Sequence, residues 1–482
     1  MVLQASSGPS SFGRPSGERK MKPVNTLCLA VRSFWWMLVA IQWFPSLAVA
    51  GPDAPPHNVI VMISDGGGYN HILAASCYQD GEPGQQRYQK TFIALAMSTC
   101  PAGGSYDPAE AYAGFDACKK GATDSAAAAT AMATGVKTRN SAIGVDVDGN
   151  PRSNVVEAAE ALGKATGVIT TVPLSHATPA GFVAHVTSRG NYEAIAREMF
   201  HNSTVDVIMG AGHPLFDDDG KPVAVEGTGP EVTERYGYVG GVDTWQALLT
   251  GKPMADADGD GAPDPWTLVQ TRAGIQELPG APPKRVAAVL PVRETMQVQR
   301  TAVDGDPKDD APYETPLLPT SPTLAEMTRG ALAVLGQDPD GLFLMIEGGA
   351  VDWASHRNQL GRMIEEQIDF HQAIDAVIDW AEANGGWDKN LVVITADHEC
   401  GYLCGPDSVT DCTPVQCRGK GSMPKAEWHS IEHTNRLVPL YVRGAGASLF
   451  TDKATGSDPV HGAYLDNADM GEILLGLLKP TP

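Results

Sequence analysis

Three acidic side chains stand at the ends of three apolar runs, and that placement is the first chemical signal in the chain. Asp65 follows Val59–Ser64 and precedes three glycines; Glu347 follows Leu342–Ile346 and precedes two; Asp397 and His398 follow Leu391–Thr395. A carboxylate at the end of a buried strand pays a heavy desolvation penalty unless positive charge meets it. Any one of these acids alone reads as a helix cap or turn former. Histidines accompany the set, however. Asp352 and His356 are four apart, on one face of a helix, and His433 follows later. Mixed oxygen and nitrogen donors suit zinc, whereas an all-oxygen set of Asp, Glu and Thr suits magnesium. Ser125 opens an alanine-rich stretch that stops at Gly135. A serine there reads first as an N-cap, yet the same helix end aims free N–H groups and the positive dipole end at any anion beside it.

The elements that position these residues alternate. Apolar, β-branched runs at Asn58–Ser64, Gly167–Val172, Val205–Gly210, Leu342–Ile346, Leu391–Thr395 and Leu437–Val442 are separated by helical patterns at Asn154–Lys164, Tyr192–Phe200, Leu324–Leu335 and Arg362–Ala383. Near-continuous apolar strands between helices predict an α/β fold, a three-layer α/β/α sandwich with a mostly parallel central sheet. In open sheets of this kind ligands bind beyond the carboxyl ends of the strands, where these acids fall. Residues 213–320, rich in Pro, Gly and Asp, read as an insertion on a single domain spanning 51–482; a small separate domain is the alternative. Within it, Asp256, Asp258, Asp260 and Asp264 alternate as in a calcium loop, but Thr267 stands where an EF-hand needs its Glu, which favours a solvated acidic turn.

Residues 1–50 are of another class. Lys22 and Arg32 precede the apolar run Ser33–Phe44, and Ala48-Val49-Ala50 supplies small residues at a cleavage site, so a secretory signal peptide cut after Ala50 is expected. Gln42 and Pro45 interrupt the run, which is short for a membrane span, and no later segment is long and apolar enough for one. The formal charge is −22, and loss of a leader of net +4 takes it to about −26. Such a surface excludes nucleic acid as a specific partner. Seven of the eight cysteines lie beyond the leader. Cys400, Cys404, Cys412 and Cys417 cluster, but their irregular spacing and an exported setting favour disulfides over a zinc site, with an odd thiol left over.

Taken together, Thr123-Asp-Ser-Ala with Ala133-Thr-Gly-Val-Lys-Thr138, Ser175-His-Ala-Thr-Pro-Ala180, Ile346-Glu-Gly-Gly-Ala-Val-Asp-Trp-Ala-Ser-His356, Thr395-Ala-Asp-His-Glu399 and Glu432-His-Thr434 resemble alkaline phosphatases. The resemblance runs from about Asn58 to Leu478 and is weakest over 213–320. It implies hydrolysis of small phosphate monoesters through a phosphoserine at Ser125, with Arg189 gripping two phosphate oxygens. It also implies two zinc ions, one on Asp352, His356 and His433 and the other on Asp65, Asp397 and His398, and a magnesium on Asp65, Glu347 and Thr178. Asp124 and His176 would support these groups from behind. His176 stands where many bacterial members carry Asp, which leaves the third metal open between magnesium and zinc or cobalt. His461 competes with His433 as the last ligand of the first zinc, and His433 is preferred for its Glu-His-Thr context. A homodimer follows from the same resemblance, and the leader implies an exported location, periplasmic or secreted. A phosphodiesterase of the same superfamily and a non-catalytic exported phosphate- or metal-binding protein are the competing readings. A sulfatase would need a Cys/Ser-x-Pro-x-Arg context that Ser125 lacks.

Overall fold

The computed structural model describes residues 55–479, apart from 226, 228, 304 and 410. The signal-peptide reading of residues 1–50 therefore lies outside the described residues. Strand Asn58–Ser64 is buried along its whole length and sits at the middle of an eleven-stranded sheet. Its odd-numbered residues Val59, Val61 and Ile63 pack into one apolar core, and Ile60 and Met62 into another on the opposite face. That alternation makes a strand covered on both sides. Full burial of each such side chain contributes about 1.5–3 kcal/mol, which locks the register.

From one edge to the other the strands run Gly456–Asp458, Gly462–Asp466, Ile93–Ser98, Val438–Gly444, Asn390–Thr395, Asn58–Ser64, Leu342–Gly348, Ala165–Pro173, Val207–Ala211, Val286–Val289 and Thr267–Val269. The seven from Asn390–Thr395 to Thr267–Val269 are parallel to their neighbours, while Val438–Gly444 is antiparallel to both of its own. Helices Ser125–Thr134, Tyr192–His201 and Asn467–Leu477 cover one face; Leu324–Leu335 and Leu360–Ala383 cover the other. The α/β/α layering expected from the apolar runs is observed.

Four adjacent strands set up the site. Ile63 pairs with Glu347 on one side and Thr395 on the other, and Glu347 pairs in turn with Thr170. Their carboxyl ends are thus side by side, with Asp65, Glu347 and Asp397 within or just past them.

Residues 213–320 hold more regular structure than their composition suggests. They contribute the last two strands at one side of the sheet, Val286–Val289 and the edge strand Thr267–Val269, and the helices Pro230–Gly237, Gly241–Thr250 and Arg272–Glu277. The segment is also tied to the long helix by charge. Arg300, buried, donates to Glu365 at 2.7 Å and to the Thr315 carbonyl at 2.7 Å.

Two disulfides form, Cys77–Cys417 and Cys404–Cys412, and Cys100, Cys118 and Cys400 remain as buried free thiols. The expectation of a single odd thiol needs correcting to three. Among the described residues no helix is long and apolar enough to cross a membrane.

Next to the Arg300–Glu365 pair, burial pushes the Glu366 carboxyl up to about 8 from its ordinary 4.5, with Asp369 and Glu365 adding to the rise. The folded chain holds that proton after the unfolded chain has lost it, so stability falls as pH rises from about 4.5 towards 8. Glu366→Gln removes the penalty. Its melting temperature, relative to the unsubstituted protein, is expected to climb between pH 5 and pH 8.5 by about 2 °C per kcal/mol recovered. A difference that stays flat with pH would show that Glu366 is ionised in the fold.

Candidate active site and metal centre

Helix Ser125–Thr134 begins one residue earlier than a cap at Ser125 would require. The N-cap is Asp124, whose Oδ1 accepts from the Ala127 N–H at 3.0 Å. Ser125 is therefore the first helical residue and its hydroxyl is released from capping. Gly135 closes the helix in the left-handed conformation, φ 68°. The other oxygen of Asp124 accepts from the Ser141 N–H at 2.9 Å and from Arg189 Nη1 at 3.1 Å. Arg189 Nη2 donates to His176 Nε2 at 3.2 Å. Burial and the Arg189 charge lower the His176 pKa to about 3, so the imidazole stays neutral.

Ser125 Oγ lies 3.2 Å from His398 Nε2. The same nitrogen is 3.1 Å from Asp397 Oδ2 and 3.5 Å from Asp65 Oδ1. A second knot lies beside it. His433 Nε2 is 3.0 Å from His356 Nε2 and 3.3 Å from Asp352 Oδ1, and His356 Nε2 is 3.3 Å from Asp352 Oδ2. Donors bound to zinc at ~2.0–2.2 Å and tetrahedral angles are roughly 3.3 Å apart. Both knots match that edge length.

The outer ring nitrogens support the same reading. His356 Nδ1 donates to the Ile431 carbonyl at 2.6 Å and His433 Nδ1 to the Thr123 carbonyl at 2.9 Å. A carbonyl can only accept, so each proton sits on Nδ1 and each Nε2 lone pair faces inward, as metal-binding histidines require. His433 reaches the site through a two-residue ribbon, pairing with Cys400. His461 is elsewhere, stacked on Tyr69 at 3.9 Å.

The carboxylates reveal what is missing from the protein's own hydrogen bonding. Both oxygens of Asp65, Oε1 of Glu347, Oδ1 of Asp352 and Oδ2 of Asp397 are buried and make no hydrogen bond, and neither does the Thr178 hydroxyl. Burial first, then the charges of Asp397, Asp352 and Glu347, push the Asp65 carboxyl well above its usual range. Burial likewise raises Glu347 to about 7, against the pull of the Thr170 and Thr178 hydroxyls. Burial opposes ionisation of Asp352 too, but the facing imidazoles of His433, His356 and His398 carry it far below the usual range. Orphaned, like-charged oxygens at these spacings need cations among them. Donor groups within 4.8 Å of one another fall into three sets: Asp352, His356, His433 and Cys400; Asp65, Asp352 and His398; and Asp65, His176 and Glu347. The acidic loop also brings Asp256, Asp258 and Asp260 within that limit, but these are half-buried or exposed, and their oxygens accept from backbone N–H groups of their own turn.

Apart from His461 and the acidic loop, the residues singled out for chemistry in the sequence lie in or against one constellation. Four neighbouring side chains, Cys400, Thr170, Trp353 and Arg357, were not anticipated. Cys400 is a free, fully buried thiol beside the first knot, and Gly66, at φ 72°, keeps the chain there because a side chain would strike Asp352 and Cys400. Thr170 donates to Glu347. Trp353 and Arg357 line the open cavity, about 300 Å³, together with Ser125, Arg189, His356 and His433.

Comparison with known proteins gives the arrangement its place. The family model described as Alkaline phosphatase matches residues 56–449. The chain belongs to the alkaline phosphatase family. It is 34% identical over 362 residues to alkaline phosphatase 3 of Bacillus subtilis (strain 168), a match covering 73% of this chain and 63% of that relative's length. It is 30% identical over 428 residues to the alkaline phosphatase of Escherichia fergusonii, covering 82% of each. In fold it is similar to a histidine-to-aspartate variant of the alkaline phosphatase from the Antarctic bacterium TAB5, described with magnesium bound in its M3 site, at a TM-score of 0.58 and 22% identity over 89% of this chain and 99% of that one. That likeness carries the alkaline phosphatase fold.

The Thr170 contact can be tested directly. Thr170→Val keeps the shape and removes the donor to Glu347. It is expected to weaken binding of a divalent cation at the Glu347 set by about tenfold, at the lower end of what outer-layer partners contribute. Titration calorimetry of the metal-stripped protein would read this, and an unaltered affinity would show that Thr170 does not orient Glu347.

Proposed function

We propose that this protein hydrolyses phosphate monoesters through a phosphoserine at Ser125. The observation that carries this reading is the uncapped Ser125 hydroxyl 3.2 Å from His398 Nε2, lining a cavity that Arg189 also lines. Ser125 Oγ attacks phosphorus, the bond from phosphorus to the ester oxygen breaks, and the alcohol leaves with a proton. Water then attacks the phosphoserine, inorganic phosphate departs and the Ser125 hydroxyl is restored. Arg189 holds two non-bridging oxygens through its planar fork, and Asp124 and His176 hold Arg189. The N–H groups at the start of helix Ser125–Thr134 add positive potential on the phosphate side.

The donor sets fit zinc on Asp352, His356 and His433, zinc on Asp65, Asp397 and His398, and magnesium on Asp65, Glu347 and Thr178. Bound there, such ions would acidify the serine hydroxyl and the hydrolytic water and neutralise charge on the departing oxygen. Magnesium in the M3 site of the TAB5 variant supports a third ion. His176 serves Arg189 in this reading rather than the metal. The wider proposal is a single domain over 51–482 with 213–320 as an elaboration of its edge, export after cleavage at Ala50, and a homodimer.

The discriminating assay compares 4-nitrophenyl phosphate, bis(4-nitrophenyl) phosphate and 4-nitrophenyl sulfate, each with and without chelator. The monoester should be preferred and its turnover abolished by chelation. Preference for the diester, or indifference to chelator, rejects the proposal. Ser125→Ala should eliminate the phosphoenzyme and lower kcat by at least about a thousandfold while metal content by mass spectrometry is retained. Loss of metal instead would make the serine a structural element.

A further inference from the structure

We propose that Trp353 and Arg357 form a leaving-group subsite that favours planar aromatic phosphate esters carrying a second negative charge beyond the ring. This rests on the phosphomonoesterase reading and specifies its substrate class.

The short helix Ala350–His356 and its C-cap residue Arg357 carry two side-chain pairs with the same four-residue spacing. Asp352 and His356 form one pair, in the first donor knot. Trp353 and Arg357 lie one position further along and so occupy the adjoining stripe. That stripe borders the cavity lined by Ser125, Arg189 and His433. Direction follows from the chemistry of in-line displacement, in which the departing oxygen lies opposite the attacking one. Ser125 Oγ is grouped with His398, Asp397 and Asp65, so the alcohol departs on the side of Asp352, His356 and His433. The side chains that project from that same helix are the ones it meets first.

Their chemistry is specific. Trp353 is half-buried, its ring held at 5.7 Å and 63° against His176, which fixes the indole as one apolar wall. Arg357 is exposed, with its guanidinium carbon 5.9 Å from the centre of that indole, and its Nη1 donates to the Trp353 carbonyl at 3.3 Å. Among the described residues no carboxylate forms an ion pair with it. Its positive charge stands beside the cavity in a chain of formal charge −22. An aromatic leaving group can stack on the indole. An anionic substituent on the far side of that ring then lies toward Arg357, whose charge also draws anions to the mouth.

The test uses the full chain in its metal-loaded form and three esters: 4-nitrophenyl phosphate, 4-carboxyphenyl phosphate and glycerol 2-phosphate. For each, kcat/KM of a variant is divided by that of the unsubstituted enzyme, which cancels the intrinsic reactivity of the leaving group. Trp353→Ala is expected to lower this ratio for the two aryl esters roughly three- to tenfold more than for glycerol 2-phosphate, with Trp353→Phe recovering most of the difference. Arg357→Gln is expected to lower it for the carboxyphenyl ester about two- to fivefold more than for the nitrophenyl ester, a gap that narrows with added salt. Equal losses across the three esters, or ratios unchanged in both variants, would overturn the subsite. If Trp353→Ala does not fold, the Phe and Gln variants decide. An unsubstituted enzyme inactive on all three esters would instead reject the phosphomonoesterase reading beneath it.

Discussion

The structure is organised around four buried carboxylates, Asp65, Glu347, Asp352 and Asp397, converging on one small volume. Like charges in low dielectric repel strongly, and each has also lost its water. The protein answers only part of this cost. Against burial, the His398 imidazole and then the Gly66 N–H, at 3.1 Å, draw Asp397 towards the ionised form, and the facing imidazoles do the same for Asp352. Asp65 and Glu347 are pushed the other way. The set is therefore half-satisfied by protein groups and completed by cations. Such an arrangement survives only if the backbone that carries it cannot relax apart. Four parallel strands with two-sided apolar burial, paired in fixed register at the positions of Glu347, Ile63, Thr395 and Thr170, supply that stiffness.

The serine depends on the same economy of carboxylates. Asp124 caps the helix with one oxygen and with the other fixes both the Ser141 backbone and Arg189. One side chain thus frees the Ser125 hydroxyl, orders the loop opposite, and aims the guanidinium into the cavity. Arg189 pays for its position with only one carboxylate partner, and its remaining N–H groups stay available for an anion. His176, kept neutral by burial, accepts from Arg189 and adds no positive charge of its own.

An element is legible in the sequence where its environment follows from its own run, and illegible where it depends on a distant partner. Strands Asn58–Ser64, Leu342–Gly348 and Asn390–Thr395 were legible because both faces are buried, which writes a continuous apolar run ended by an acid. Helix Leu324–Leu335 matched in both bounds, its capping box between Thr323 and Glu326 marking the start. Ile93–Ser98 went unread because its first half is solvent-facing, and Thr267–Val269 and Val286–Val289 because runs of three and four residues carry no period. Ser125 as a cap and Asp124 as a cap differ by one residue, and only the hydrogen bond to Ala127 separates them. Cys77 and Cys417 are 340 residues apart, a pairing that no local pattern encodes. The position of Cys400 beside His433 arises from a two-residue ribbon, equally invisible in composition.

Helix Ala350–His356 shows how chemistry and selectivity can share one element without interfering. Its Asp352 and His356 lie in one donor knot with His433, which braces the helix against the ribbon that carries His433. Trp353 and Arg357 use the same rigid backbone but face outward, where a change of side chain alters the cavity wall without moving a metal donor. The net charge of the chain belongs to this division as well. A strongly negative surface repels phosphate esters at long range, yet field lines are focused by local charge at short range. Arg189 within the cavity and Arg357 at its rim place two cations along the path of an entering anion, and the metal donors lie behind them. Attraction therefore begins at the rim with the weaker, selectable contact and ends at the serine with the fixed one.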